Sequence, residues 1–349
     1  MSVLLVVISV NHMQKAHFIA LIQFLKSYFN DSSNKEKIEL FIERAKNENA
    51  WFSDYLIRHA MQSIENQFFD HDKWTDFFKI NGEPSPSTKI VGLVLAGNLP
   101  AVGLHDILMT LASGNEAWIK PSSQDKALIE LYVTAIKEFD SSIPIKMVDR
   151  LQGIQAVIAT GSDFSGGYFA HYFAQMPHII RKNRSSMAIL NGQERDSDFV
   201  GLARDIFTYY GLGCRNVSTL AVPKNYDLVP LFDVLTKETW VLDHSKYSNN
   251  FQYHRTLFLL NQIPHYDLGN LLVTENEALV SPVGVLYIHR YEQPADLSAW
   301  IKLHEDKIQC KVSLSKDIQE GIAFGMSQEP GLADFADGIN TYDFLINLS

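Results

Sequence analysis

KIVGLVLAGNLPAVGLHDILMTLASGNEAWIKPSS, residues 89–123, contains two short apolar runs, each followed by a turn and then by longer amphipathic sequence. KIVGLVLA (89–96) and EAWIKP (116–121) have the length and apolar content of buried parallel strands. QAVIAT (155–160) repeats the pattern, and helical spacing fills the stretches near 101–113, 123–139 and 166–174. This alternation predicts an α/β fold, a doubly wound parallel sheet of the dinucleotide-binding type with helices on both faces.

Upstream, apolar residues recur at helical spacing from Met13 to about Phe78, as in Ile38, Phe41, Ile42 and Ala45, then Leu56, Ala60 and Ile64. NGEPSPST (81–88) has the composition of a connector. The opening MSVLLVVISV is too short to span a bilayer and has no Lys or Arg before it, so residues 1–12 read as an upstream extension or an added strand, with no transmembrane segment. Downstream, a second block runs from the helix DFVGLARDIFTYYG through LGCRNVS into the strand STLAVP and the helix YDLVPLFDVL. The expected organisation is a helical region over 1–88, a dinucleotide-binding domain over 89–197, a second α/β domain carrying a cysteine over 198–330, and a docked tail over 331–349.

With 349 residues, 46% hydrophobic and 20% charged, the chain can bury one large core or two. A formal net charge of -10 argues against a nucleic-acid partner, and RKNR (181–184), the densest basic cluster, is too small to reverse that. The two cysteines, Cys214 and Cys310, are far apart and have neither CxxC spacing nor a neighbouring His pair, so a disulfide framework and a zinc site are both unsupported and a reducing cytoplasm fits best. His105, His171, His178 and His254 show no metal-ligand spacing and read as core or surface residues.

Neither GxGxxG nor GxxxxGK[ST] occurs, so a nucleotide site rests on other turns. AGNLP (96–100), KPSS (120–123) and ATGSDFSGG (159–167) each follow an expected strand and precede a helix, which converges them at the carboxyl edge of the sheet. Lys120 could reach ribose hydroxyls or a phosphate there, or be a solvated strand-end lysine. Gly161 and Ser162 would let backbone and hydroxyl approach a pyrophosphate. The hydroxyls of KPSS, Ser122 among them, suit a ribose 2'-phosphate, so NADPH is expected, with NADH as the alternative. In GLGCRNVS, Gly211 and Gly213 free the backbone to present Cys214, and Arg215 adds a positive charge that favours thiolate. On this pattern alone Cys214 is a nucleophile or a buried small hydrophobe. Cys310 alternates like a strand residue, and IFTYY (206–210) reads as core rather than as an acyl tunnel.

Four ordered segments carry a resemblance: VGLVLAGNLPAVGLHDILMTLASGNEAWIKPSSQDKALIELY, AVIATGSDFSGGYFAHYFAQMPHIIRKNRSSMAIL, DIFTYYGLGCRNVSTLAVP and EALVSPVGVLYI. From about Trp51 onward the chain resembles the acyl-CoA reductase (LuxC-type) branch of the aldehyde dehydrogenase superfamily. The resemblance implies an aldehyde-dehydrogenase-like fold with a second, catalytic α/β domain. It gives Asn98 an oxyanion-hole role, Lys120 the cofactor ribose, Gly161 and Ser162 the cofactor phosphates, and Cys214 the covalent nucleophile. Hydrolytic aldehyde dehydrogenases carry a water-activating glutamate where this chain reads IIRKNRSSMAIL, without a carboxylate. A second family glutamate, which holds the nicotinamide ribose, falls nearest Glu277, one residue out of register.

The implied activity is NADPH-dependent reduction of a fatty acyl thioester, on coenzyme A or a protein, to the aldehyde through an acyl-Cys214 intermediate. An acyltransferase or acyl-carrier subunit that loads Cys214 without reduction is the main alternative. A non-catalytic scaffold, and a hydrolytic enzyme using another carboxylate, follow it. The resemblance also implies an acyl-activating enzyme as partner and is compatible with a homo-oligomer.

Overall fold

The computed structural model describes residues 13–161, 163–314 and 321–348, so the reading of residues 1–12 falls outside it. Contacts divide the chain into two compact units: Met1–Lys182 with Gly331–Phe335 and Ile339–Ser349, and Asn183–Pro330 with Ala336–Gly338.

The first unit opens with four helices, α1 (Lys15–Asn30), α2 (Lys35–Glu48), α3 (Asp54–Phe68) and α4 (His71–Asn81). The apolar stripe of α1 (Phe18, Leu21, Ile22, Leu25 and Tyr28) is buried, and Phe18 meets Trp74 of α4 edge-on at 4.7 Å between ring centroids. Side chains fix two of the helix starts: Ser53 accepts from the Leu56 N–H and Asp70 from the Lys73 N–H. Gly82, at φ 91°, stops α4 ahead of the connector.

There follow β1 (Ile90–Val94), α5 (Leu104–Ala112), β2 (Glu116–Lys120), α6 (Lys126–Phe139), β3 (Ile145–Met147), β4 (Ala156–Thr160), α7 (Asp163–Tyr172) and β5 (His178–Arg181). The five strands pair in the order β3-β2-β1-β4-β5, every pair parallel. This is the expected doubly wound sheet. From β1 the chain winds outward through β2 to β3 and then returns to the other side of β1 as β4, so the strand order reverses between β1 and β4. At such a switch the loops leaving two neighbouring strands diverge and open a crevice at the carboxyl edge. Helix α5 is buried at every position but His105, and the C-terminal helix Thr341–Ile346 packs on it, with Asn115 Nδ2 donating to the Leu345 carbonyl at 3.0 Å.

The second unit contains β6 (Ser185–Ile189), α8 (Asp196–Phe207), β7 (Val217–Pro223), α9 (Val229–Leu235), α10 (Ser245–Leu260), β8 (Tyr266–Asp267), β9 (Leu272–Glu275), β10 (Val285–Tyr291), α11 (Pro294–His304), β11 (Ile308–Ser313) and β12 (Gly321–Ile322). Its sheet runs β12-β11-β6-β7-β10-β9-β8 and is parallel except for β8. Met187, Ile189, Ala221, Leu279, Trp300 and Ile308 form a core cluster here. The units divide between Lys182 and Asn183, earlier than the 197/198 boundary, because SSMAI forms β6 and lies between β11 and β7 of the second sheet.

The RKNR cluster is not a basic surface: Arg181 is buried and paired with Asp106 at 2.5 Å, and Arg184 pairs with Asp337 at 3.2 Å. Among the described residues no helix is long and apolar enough to cross a membrane, and no His, Cys, Asp and Glu cluster could hold a metal ion.

Candidate active site

In the first unit the turn leaving β1 is held from below. Asn49, buried at the end of α2, donates from Nδ2 to the Gly97 carbonyl at 3.0 Å, and the Leu95 N–H donates to the Lys120 carbonyl at 3.1 Å. Gly97 packs so closely on Ser122 that no side chain fits there. The next turn is tightened where Ser122 Oγ accepts from the Gln124 N–H at 3.2 Å. Beyond β4, the Gly161 N–H donates to the Arg181 carbonyl at 3.2 Å. The side chains of Asn98 and Lys120 are exposed and without a partner among the described residues.

The parallel register therefore brings Asn98, Lys120, Ser122 and Gly161 to one edge of the sheet, around the β1/β4 switch point. Ser162 lies outside the described residues. The donor set fits a dinucleotide: a free ammonium, a hydroxyl, two glycine-lined turns, and the start of α7 immediately after one of them.

In the second unit Cys214 lies in a tight loop between α8 and β7. Tyr210, Gly211 and Gly213 are left-handed at φ 56°, 80° and 90°, a conformation that glycine takes without strain and tyrosine rarely takes. Ser186 of β6 donates from Oγ to the Cys214 carbonyl at 3.0 Å, and the Ser186 N–H donates to the Asn216 carbonyl at 3.0 Å, which ties the loop to the sheet. Cys214 as a residue is half-buried, but its thiol is well shielded, and burial pushes the thiol up to about 11. Arg215 pulls the other way; nearby Cys310 and the Asp337 carboxylate add to the rise. Arg215 was expected to favour thiolate. It does act in that direction, but burial outweighs it.

Glu277 follows the carboxyl end of β9, and the segment after it returns over the start of β7, where the Leu279 carbonyl accepts from Ser218 Oγ at 2.7 Å and from Thr219 Oγ1 at 2.6 Å. The Glu277 carboxylate approaches His289 Nδ1 to 3.0 Å, and its carbonyl accepts from Trp300 Nε1 at 3.1 Å.

Three supporting residues escaped the sequence reading: Ser186, and the buried carboxyls of Asp125 and Asp205. Asp205 left a signal, an acidic residue on the apolar stripe of α8 between Leu202 and Ile206.

Comparison with known proteins adds a family. Residues 83–227 match the acyl-CoA reductase (LuxC) family model. The resemblance read from the sequence is borne out over that stretch, which includes Asn98, Lys120, Ser122, Gly161 and Cys214 and ends before Glu277. No curated protein matches the chain. Among solved structures, an oxidoreductase from Marinobacter aquaeolei is similar at TM-score 0.65 and 11% identity, covering 88% of this chain and 75% of that one. An NAD-dependent aldehyde dehydrogenase from Sinorhizobium meliloti gives 0.64 and 12%, covering 88% and 72%. A Mycobacterium tuberculosis aldehyde dehydrogenase complexed with NAD+ gives 0.62 and 14%, covering 90% and 76%. The fold is aldehyde-dehydrogenase-like. Together the LuxC match and the fold support an oxidoreductase acting on acyl or aldehyde substrates.

Proposed function

We propose that the chain reduces an acyl thioester to an aldehyde through an acyl-Cys214 intermediate, with a nicotinamide dinucleotide held at the carboxyl edge of the first sheet. The observation that carries this reading is the loop of Cys214, where a run of left-handed residues presents a thiol on which Asp337 is the one carboxylate acting among the described residues. Asp337, the carboxylate that acts on the thiol, is tied to Arg184.

Cys214 Sγ loses its proton and attacks the carbonyl carbon, and the Cys214 backbone N–H stabilises the oxyanion. For Asn98 we propose the oxyanion role that the resemblance implies; its amide is exposed and has no hydrogen-bond partner among the described residues. The oxyanion collapses, the bond to the carrier sulfur breaks, and that thiolate takes up a proton as it leaves. A bound dinucleotide would supply the two electrons and the proton that turn the acyl group into an aldehyde. Release of the aldehyde breaks the Sγ–carbon bond and frees Cys214. No step activates water, so a general base beside Cys214 would only divert the acyl-enzyme to hydrolysis.

Lys120 and Ser122 are proposed to hold the cofactor ribose and its 2'-phosphate, with Gly161 and Ser162 at the pyrophosphate. That assignment makes NADPH the expected cofactor over NADH. The similar aldehyde dehydrogenases from Mycobacterium tuberculosis and Bacillus cereus are complexed with NAD+, which supports the class and leaves the choice to experiment.

The test is a chain-length panel of acyl-CoAs with NADPH or NADH, following nicotinamide absorbance alongside Cys214→Ala. Oxidation that needs acyl-CoA and vanishes in the variant is the expected result. Acylated Cys214 without oxidation would replace this reading with acyl transfer.

A further inference from the structure

Asp205 is buried on α8 between Leu202 and Ile206, where a carboxylate is costly unless its oxygens are satisfied. Both are satisfied by one short loop: Oδ2 accepts from the Gly325 N–H at 2.7 Å and Oδ1 from the Ser327 N–H at 2.9 Å. The same loop is pressed onto α8 by a glycine pair. A Cβ on Gly201 would stand 2.8 Å from the Phe324 carbonyl carbon, and one on Gly325 would stand 3.1 Å from Gly201 Cα. Gly325 is also left-handed, at φ 83°.

The fixed loop points back to the nucleophile. Ser327 is fully buried, and its carbonyl accepts from Arg215 Nη1 at 3.1 Å. Arg215 follows Cys214 in the chain, and its charge is the main influence that favours the thiolate against burial. A long arginine side chain has many rotamers, so its effect on a neighbouring thiol depends on what holds it. Here a backbone carbonyl holds it, and Asp205 holds that carbonyl's loop.

We propose that Asp205 is a positioning residue for Cys214: by pinning residues 325–327 it fixes the Ser327 carbonyl that anchors the Arg215 guanidinium, and thereby sets the nucleophilicity of the thiol. The inference rests on Cys214 being the nucleophile, and its test requires neither acyl substrate nor cofactor. The rate of Cys214 alkylation by iodoacetamide is measured against pH on the Cys214 peptide by mass spectrometry, so that Cys310 does not contribute. Wild type, Asp205→Asn, Arg215→Gln and the double variant are compared, each checked for cooperative thermal unfolding. Asp205→Ser replaces the Asn variant if that one fails to fold.

At pH 8, Arg215→Gln is expected to slow alkylation about threefold to tenfold, the effect of moving a titration by half a unit to one unit. Asp205→Asn should slow it in the same direction, and the double variant should be no slower than Arg215→Gln alone, because both act through one path. An unmoved rate in Arg215→Gln, or single effects that multiply in the double variant, would overturn the proposal. A failure of acyl-CoA reduction with this alkylation pattern intact would count against the reductase reading alone.

Discussion

A Cβ placed on Gly97 would stand 2.5 Å from Ser122 Oγ and 2.6 Å from Ser122 Cβ, so the turns leaving β1 and β2 are in contact at a point that admits only glycine. Ser122 Cβ is fixed to its backbone and cannot swing aside, so Gly97→Ala must part the two turns. Overpacking of this kind costs about 1–3 kcal/mol. We expect that loss in denaturant unfolding, together with at least about a tenfold weaker nicotinamide dinucleotide affinity by fluorescence titration. Ser122→Gly in the same background should recover much of the stability. A Gly97→Ala protein that binds cofactor normally would remove these turns from the cofactor site.

Cys214 gives a pH dependence of definite sign. Burial pushes its thiol up to about 11, so at neutral pH the protein holds mostly the protonated, unreactive form. The thiolate fraction then rises about tenfold per pH unit up to that value. Single-turnover acylation by a short acyl-CoA, measured by rapid quench, should climb across pH 7 to 10 and be absent in Cys214→Ala. A flat profile would mean that another group takes the proton before the attack.

How far the sequence could be read depends on the range of the interaction. KIVGLVLA and QAVIAT announce β1 and β4 because strands buried on both faces are continuously apolar, and once their parallel winding is assumed, the turns at Asn98, Lys120 and Gly161 must share one edge. β3 and β5 gave no such signal. They are short edge strands that include Lys146 and His178, and their identity comes from neighbours supplied elsewhere in the chain. The unit division was misplaced for the same reason, since SSMAI becomes β6 only beside β7 and β11. The contacts of Asp205 with Gly325 and Ser327 cross more than a hundred residues, and no local pattern announces them.

Asp125 should make stability depend on pH. It is fully buried at the start of α6, and neither carboxyl oxygen has a hydrogen-bond partner among the described residues. Burial pushes its carboxyl well above the ordinary range; the Ala101 backbone N–H, which faces it outside good hydrogen-bond geometry, pulls partly back, and the Glu48 carboxylate adds to the rise. Above the ordinary carboxylate range the unfolded chain has lost a proton that the folded chain keeps. Stability from this group is therefore complete at acid pH and falls as pH rises toward the folded value, by at most about 1.4 kcal/mol per unit. Asp125→Asn removes that slope. In urea unfolding from pH 5 to 8, the variant should gain on wild type as pH rises, and parallel curves would refute the buried-acid assignment.

The pair of Asp106 and Arg181 ties stability to the Gly161 turn. Asp106 sits on the buried helix α5, and its carboxylate meets Arg181 at the end of β5, where Arg181 Nη2 also donates to Thr341 Oγ1 at 2.8 Å. Asp106→Ala removes the charge that faces a buried guanidinium, and breaking a buried pair on one side costs about 3–5 kcal/mol. The backbone of Arg181 is involved too, because its carbonyl accepts the Gly161 N–H. Relaxation of β5 should therefore reach the Gly161 turn, the proposed cofactor turn. We expect Asp106→Ala to lower the urea midpoint and, in the fraction that remains folded, to weaken dinucleotide binding. The double change Asp106→Leu with Arg181→Met removes both charges at once, and it should restore most of the stability while leaving binding close to wild type. Recovery of stability without recovery of binding would mean that the ion pair itself, rather than the backbone it supports, acts on the cofactor.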